Sequence, residues 1–138
     1  MSFGQSVKYC FNHYASFDGR ASRSEFWWFY LFTVIASGIP YIIGAIFIVA
    51  SAPANSYADA NGPLVLIGAL FYIIAGIISL ATVIPLVAAG CRRMHDRGTS
   101  GWLQLLLLVP CLNLVVLVFW ALDGTPGANA YGEGPAKF

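Results

Sequence analysis

The chain has 138 residues, of which 59% are apolar and 9% charged, with a formal net charge of +1. Soluble domains carry about 25% charged residues, and a chain this short has too little interior to hide so much apolar surface. Those values exclude a nucleic-acid-binding module and a second folded domain, and they point to one all-α integral membrane module spanning residues 1–138.

Residues 1–21 read as an amphipathic segment. Phe3, Val7, Cys10, Phe11, Tyr14 and Phe17 recur at spacings of three and four, while Gln5, Lys8, Asn12 and His13 occupy much of the opposite face. That is the pattern of a short helix lying in the headgroup plane. The same polar residues interrupt any apolar core of a cleavable signal, so the first span is expected to target the chain itself. Asp18-Gly19 supplies a turn. Ser22-Arg23-Ser24-Glu25 matches a capping box, and the first transmembrane helix is predicted over 22–50.

Three stretches carry no charge at all: Phe26 to Ala58, Ala60 to Cys91 and Gly98 to Leu122. Roughly 20 apolar residues cross a hydrocarbon core of about 30 Å, and each stretch contains that many. The second transmembrane helix is predicted over 64–93, after an external loop at 51–63 rich in Ala, Asn, Ser and Pro. A basic cytoplasmic loop at 94–101 leads to a third helix over 102–122. Pro110 and Asn113 sit at its middle, so it is either continuous but kinked, with the tail outside, or a re-entrant hairpin that returns the tail. A Gly- and Pro-rich tail at 123–138 completes the chain.

Lys8, Arg20 and Arg23 precede the first span and Arg92, Arg93 and Arg97 follow the second, whereas the loop between them carries only Asp59. The cation bias predicts a multi-pass inner-membrane protein with a cytoplasmic N-terminus. Trp27, Trp28 and Trp102 are expected at that interface and Trp120 at the opposite one. The cysteines Cys10, Cys91 and Cys111 keep no metal-ligand spacing, and nothing in the sequence implies a metal or a cofactor.

Three stretches carry a family likeness. Phe17-Asp18-Gly19-Arg20-Ala21-Ser22-Arg23-Ser24-Glu25-Phe26-Trp27-Trp28-Phe29, then Arg92-Arg93-Met94-His95-Asp96-Arg97-Gly98-Thr99-Ser100-Gly101-Trp102, then Gly124-Thr125-Pro126-Gly127-Ala128-Asn129-Ala130-Tyr131-Gly132 together resemble the signatures of the DUF805 family of small bacterial inner-membrane proteins. The departures are Met94 where members commonly carry Leu, Ala130 where they carry Arg, and Glu133 or Gly134 about where they carry a Pro. The resemblance implies location and architecture but no reaction.

The densest polar cluster joins Arg20, Arg23 and Glu25 to Arg92, Arg93, His95, Asp96 and Arg97. Guanidinium groups suit bidentate contact with phosphate, so an anionic lipid headgroup is one expected ligand of the five arginines, with Glu25, His95 and Asp96 in support. The bland alternative is that the arginines only orient the spans and pair with the two carboxylates. His95 and Asp96 are adjacent on a helix and point about 100° apart, which argues against a catalytic dyad. Within the spans, Ser37, Tyr41 and Gly44 share one face of the first helix, and Gly68, Tyr72, Ala75, Ser79 and Thr82 share one face of the second. Such faces pack helices, with hydroxyls bonding across them, or line a path for a small solute. The expected function is therefore a non-catalytic accessory or scaffold module, a homo-oligomer or partner of another membrane protein, with an oligomeric passive channel or carrier as the alternative. An enzyme acting on a lipid phosphate through Arg92, Arg93, His95 and Asp96 ranks last.

Overall fold

The computed structural model describes residues 1–53 and 59–135. Part of the predicted external loop, 54–58, and the last residues of the tail, 136–138, lie outside the described residues. The elements are α1 (Phe3–Asn12), α2 (Arg23–Ala50), α3 (Gly62–Asp96), a 3-10 helix (Gly101–Leu108) and α4 (Asn113–Ala121). The only strand-like pairing among the described residues is an isolated bridge between Asn129 and Gly132.

Local chemistry explains where the helices begin. The Ser2 hydroxyl accepts from the Gln5 amide while the Gln5 side chain accepts from the Ser2 amide, a complete capping box that starts α1. At α2 only half of the predicted box forms. The Ser22 hydroxyl accepts from the Glu25 amide at 3.1 Å, but the Glu25 carboxylate is drawn away to Arg92. Asn61 caps the start of α3 by accepting from the Leu64 amide. That helix runs on to Asp96, so the first residues of the predicted basic loop are its last turn. Both long helices continue through an internal proline, Pro40 in α2 and Pro85 in α3. Each is long and apolar enough to cross a membrane.

The third predicted span is not one helix. Residues 101–108 wind as a 3-10 helix, the chain breaks at 109–112, and α4 covers only 113–121. Pro110 cannot donate into a helix, and Cys111 takes a left-handed φ of 73°, a conformation that reverses direction. The segment therefore folds as two helical pieces packed against each other, which corrects the continuous helix over 102–122.

The chain divides into two compact units, residues 1–31 with 83–138, and residues 32–82. In the second, α2 and α3 meet at two glycines. A Cβ on Gly44 would lie 3.0 Å from the Gly68 carbonyl oxygen, and one on Gly68 would lie 2.8 Å from Ile48 Cγ1. Tyr41 meets Tyr72 edge-on at 5.1 Å, and the Phe47 and Phe71 rings lie parallel at 6.0 Å. Two of the hydroxyls expected to bond across helices bond within their own: Ser37 donates to the Thr33 carbonyl and Thr82 to the Ile78 carbonyl, each one turn back. Large apolar side chains such as Ile42, Ile46, Leu66 and Leu80 face outward, as a lipid surrounding allows.

Gly68→Val should lower thermal stability in detergent by about 1–3 kcal/mol through overpacking, while Gly4→Val, whose Cβ meets nothing, should not. Equal melting of the two variants would contradict the close approach.

Candidate functional site

The first unit is organised by arginines that the sequence places at helix ends. Arg20 stands in the turn before α2, and Arg92 and Arg93 stand one turn before the end of α3, where the negative end of the helix dipole favours cations. All three are buried, as are Glu25 and Asp96. Three cations against two carboxylates leave one positive charge inside the unit. Burial of charge at this density is costly unless every donor finds an acceptor, and the donors are met by main-chain carbonyls.

Each arginine ties in a different segment. Arg92 holds Glu25 Oε1 through Nη2 at 2.8 Å and Nε at 3.3 Å, and donates from Nη1 to the Ser16 carbonyl. Its own carbonyl accepts from the Ala21 amide at 3.0 Å. The segment between α1 and α2 is thereby fixed. Arg93 pairs with Asp96 Oδ2, donates to the Trp120 carbonyl at 3.0 Å and also binds the Leu122 carbonyl, so it grips the end of α4. Arg20 takes the other oxygen, Asp96 Oδ1, at 2.9 Å and spreads its remaining donors over the carbonyls of Thr125, Gly127 and Gly132. The tail is drawn closer by the Thr125 amide, which donates to the Asp96 carbonyl at 2.8 Å, and by Asn129, which donates to the His95 carbonyl at 2.9 Å. Gly127 and Gly132 adopt positive φ, which lets the tail coil around the guanidinium. Gly124 has no room for a side chain, since a Cβ would collide with the Asp96 carboxylate.

Trp120 moves with this hairpin. Predicted at the far membrane interface, it is buried instead, with its ring 4.5 Å from Phe26 and its indole N–H donating to the Gly90 carbonyl at 3.2 Å. Gly90 is open enough to admit the ring, as a Cβ there would sit 3.0 Å from Trp120 Cζ2. A tryptophan buried with its N–H satisfied is a core anchor.

The predicted cluster therefore divides. Arg20, Arg92 and Arg93, with Glu25 and Asp96, form an internal lattice. Arg23 stays outside, paired with the exposed Asp123, and Arg97 donates to the Asp123 carbonyl at 2.7 Å with its guanidinium over the Phe119 ring. Glu25 Oε2 and Arg97 Nε have no hydrogen-bond partner among the described residues. Cys10 is enclosed beside this lattice. Burial, and then the Glu25 charge, push its thiol up to about 12, far from the range of a reactive cysteine. The same two causes raise the neighbouring Tyr9 phenol. Among the described residues no group of His, Cys, Asp and Glu side chains could hold a metal.

His95 and Asp96 diverge, as adjacent helical residues must. While Asp96 faces the lattice, the His95 ring turns into a cleft of about 560 Å³. There it stacks on Tyr131 at 3.9 Å, with the rings 3° from parallel, its Nδ1 lies 3.2 Å from the Gly19 carbonyl and its Nε2 lies 3.6 Å from Cys91 Sγ. Phe17, Asp18, Trp102 and Gln104 line the same cleft, over a wall that includes Val87 and Leu105. Apart from His95, none of these residues was singled out in the sequence as a site residue. The one legible signal was spacing, since Cys91 stands four residues before His95 on one helix face.

The candidate packing residues Ser37, Tyr41, Gly44, Gly68, Tyr72, Ala75, Ser79 and Thr82 all belong to the second unit. Gly44 and Gly68 make the close approach described above. Ser37, Tyr41, Tyr72, Ala75 and Ser79, with Gly38 and Gly76, line an open groove of about 350 Å³.

Asp96→Asn should remove the carboxylate that two buried guanidinium groups share, at a cost of about 3–5 kcal/mol, and release the tail. A drop in melting temperature with faster amide exchange over 123–132 is the expected result. Asp123→Asn, which breaks only an exposed pair, should cost no more than about 1 kcal/mol. If the two variants melt alike, the lattice does not hold the tail.

Residues 14–133 match the family model described as "Protein of unknown function (DUF805)". The inner membrane protein YhaI of Escherichia coli is 35% identical over 124 residues, covering 89% of this chain and 88% of its own. The inner membrane protein YhaH of the same organism is 31% identical over 124 residues, covering 89% of each. No solved structure matches the chain. With a family model across most of its length and two inner membrane proteins similar to it nearly end to end, the chain belongs to DUF805.

Proposed function

We propose that the protein is a non-catalytic inner-membrane module in which α2 and α3 cross the bilayer, both chain ends lie at the cytoplasmic face, and function comes from association with other membrane components. The single observation that carries this reading is the fate of the buried arginines. Each is bound to a carboxylate and to main-chain carbonyls, so the groups that could have handled a phosphate are used to hold the chain together. An anionic headgroup at that face would meet Lys8, Arg23 and Arg97, which orient and anchor without a built pocket. Exposed Phe3, Phe11, Tyr14 and Phe17 on and after α1 suit the same interface.

The association surface we favour is the groove of the second unit. Ala75, Gly76 and Gly38 leave space for another backbone to approach, and Ser79 and Tyr41 offer hydroxyls where lipid would offer no partner. A second copy of the chain is its simplest occupant. A passive path for a small solute would use the same residues, favoured only by the two hydroxyls, and would also require several copies.

Native mass spectrometry in mild detergent tests the assembly. The wild-type protein should give a defined oligomer, and Gly76→Leu should weaken it by about tenfold, the loss of one close helix contact of about 1–2 kcal/mol. A wild-type monomer, or an oligomer indifferent to Gly76→Leu, would refute the groove as the contact. Solute flux into liposomes that disappears with Gly76→Leu would favour the channel reading.

A further inference from the structure

We propose that the cleft beside His95 binds the ammonium headgroup of a membrane lipid. Its charge is the first reason. Asp18 supplies the only formal charge among the lining residues, and no lysine or arginine lines the cleft. Arg20, two residues further on, is turned away into Asp96, and the Asp18 carboxylate makes no hydrogen bond or ion pair among the described residues. A phosphate or carboxylate entering here would meet a like charge and no cation; an ammonium would meet a carboxylate with its acceptor capacity free.

Aromatic faces are the second reason. Phe17 is 42% exposed and Trp102 is 79% exposed, so both present ring surface to an incoming group. Tyr131 adds a third ring, held in place by its stack on His95 and by its amide, which donates to Asn129 Oδ1 at 2.8 Å. Rings grouped around a carboxylate are the donor set that attracts primary and quaternary ammonium ions, through the negative face of the ring quadrupole. The stack on His95 also keeps the Tyr131 ring from collapsing into the cleft.

The apolar wall decides between a lipid and a free amine. Val87 and Leu105 line the cleft and are themselves substantially exposed, at 43% and 56%, so apolar surface continues from the cleft onto the outside of α3 and the 3-10 helix. A small soluble amine would leave that surface uncovered. An acyl chain would cover it, while the headgroup stayed with Asp18 and the rings. The site lies wholly within one unit and needs no second copy of the chain, so it is independent of the groove proposed above.

The test is lipid retention by the full-length protein in detergent, read by native mass spectrometry with phosphatidylethanolamine and phosphatidylglycerol of matched chains. Phosphatidylethanolamine should be retained about fivefold better, the scale of one partly exposed cation–π contact. Trp102→Ala and Asp18→Asn should each erase that preference without changing the melting temperature, because both side chains are exposed. Arg23→Gln should leave it intact. Equal or better retention of phosphatidylglycerol would overturn the proposal, as would a preference that survives both cleft substitutions. Free ethanolamine competing as strongly as the lipid would overturn the lipid assignment in favour of a soluble amine.

Discussion

Asp96 stands at the last turn of α3 with one carboxylate oxygen on Arg20 and the other on Arg93. Through Arg20 it reaches the tail carbonyls of Thr125, Gly127 and Gly132, and through Arg93 it reaches the end of α4 at Trp120 and Leu122. Its own main-chain carbonyl accepts from the Thr125 amide and hydroxyl. A single buried carboxylate thus joins segments distant in the chain, and the arrangement is satisfied because an arginine fork has enough donors to serve both charge and backbone. Lysine in either place would carry the charge but could not span so many acceptors.

The two long helices were legible because charge-free runs of that length have few other uses, and their ends were legible from Ser22 and from the cations near Arg93. The hairpin over 101–121 was only half legible. Apolar composition is the same whether a segment crosses lipid or folds back, and the deciding residues are Pro110 and Cys111 at the break together with Trp120, whose indole finds a carbonyl inside the first unit. The arginines were visible as a cluster but their role was not, since the sequence cannot reveal that a glycine-rich tail supplies the carbonyls they need. The cleft was missed for a related reason. Phe17, Asp18, Trp102 and Tyr131 come from three distant stretches, and only the hairpin and the tail bring them together.

The lattice also changes what the family likeness means in physical terms. The three signature stretches are the strands of one knot: the first contributes Arg20 and Glu25, the second Arg92, Arg93 and Asp96, and the third the carbonyls and glycines that receive Arg20. Together they join the turn before α2, the end of α3 and the tail within one polar unit, and the matched region extends through that tail to residue 133. The two surfaces proposed above for binding, the cleft by His95 and the groove between Tyr41 and Ser79, are lined by none of these arginines.

The most direct measurement of the central claim is the sidedness of the two chain ends. With native cysteines replaced by alanine, Gly4→Cys and Ala128→Cys would be labelled separately with a membrane-impermeant maleimide in inverted and right-side-out vesicles. A tail bound to Arg20 and Asp96 requires both positions to react from the same side, and the cation bias predicts that side to be the cytoplasmic one. Labelling from opposite sides would mean that the chain crosses the bilayer between 102 and 122, and the arginine lattice could not then hold the tail.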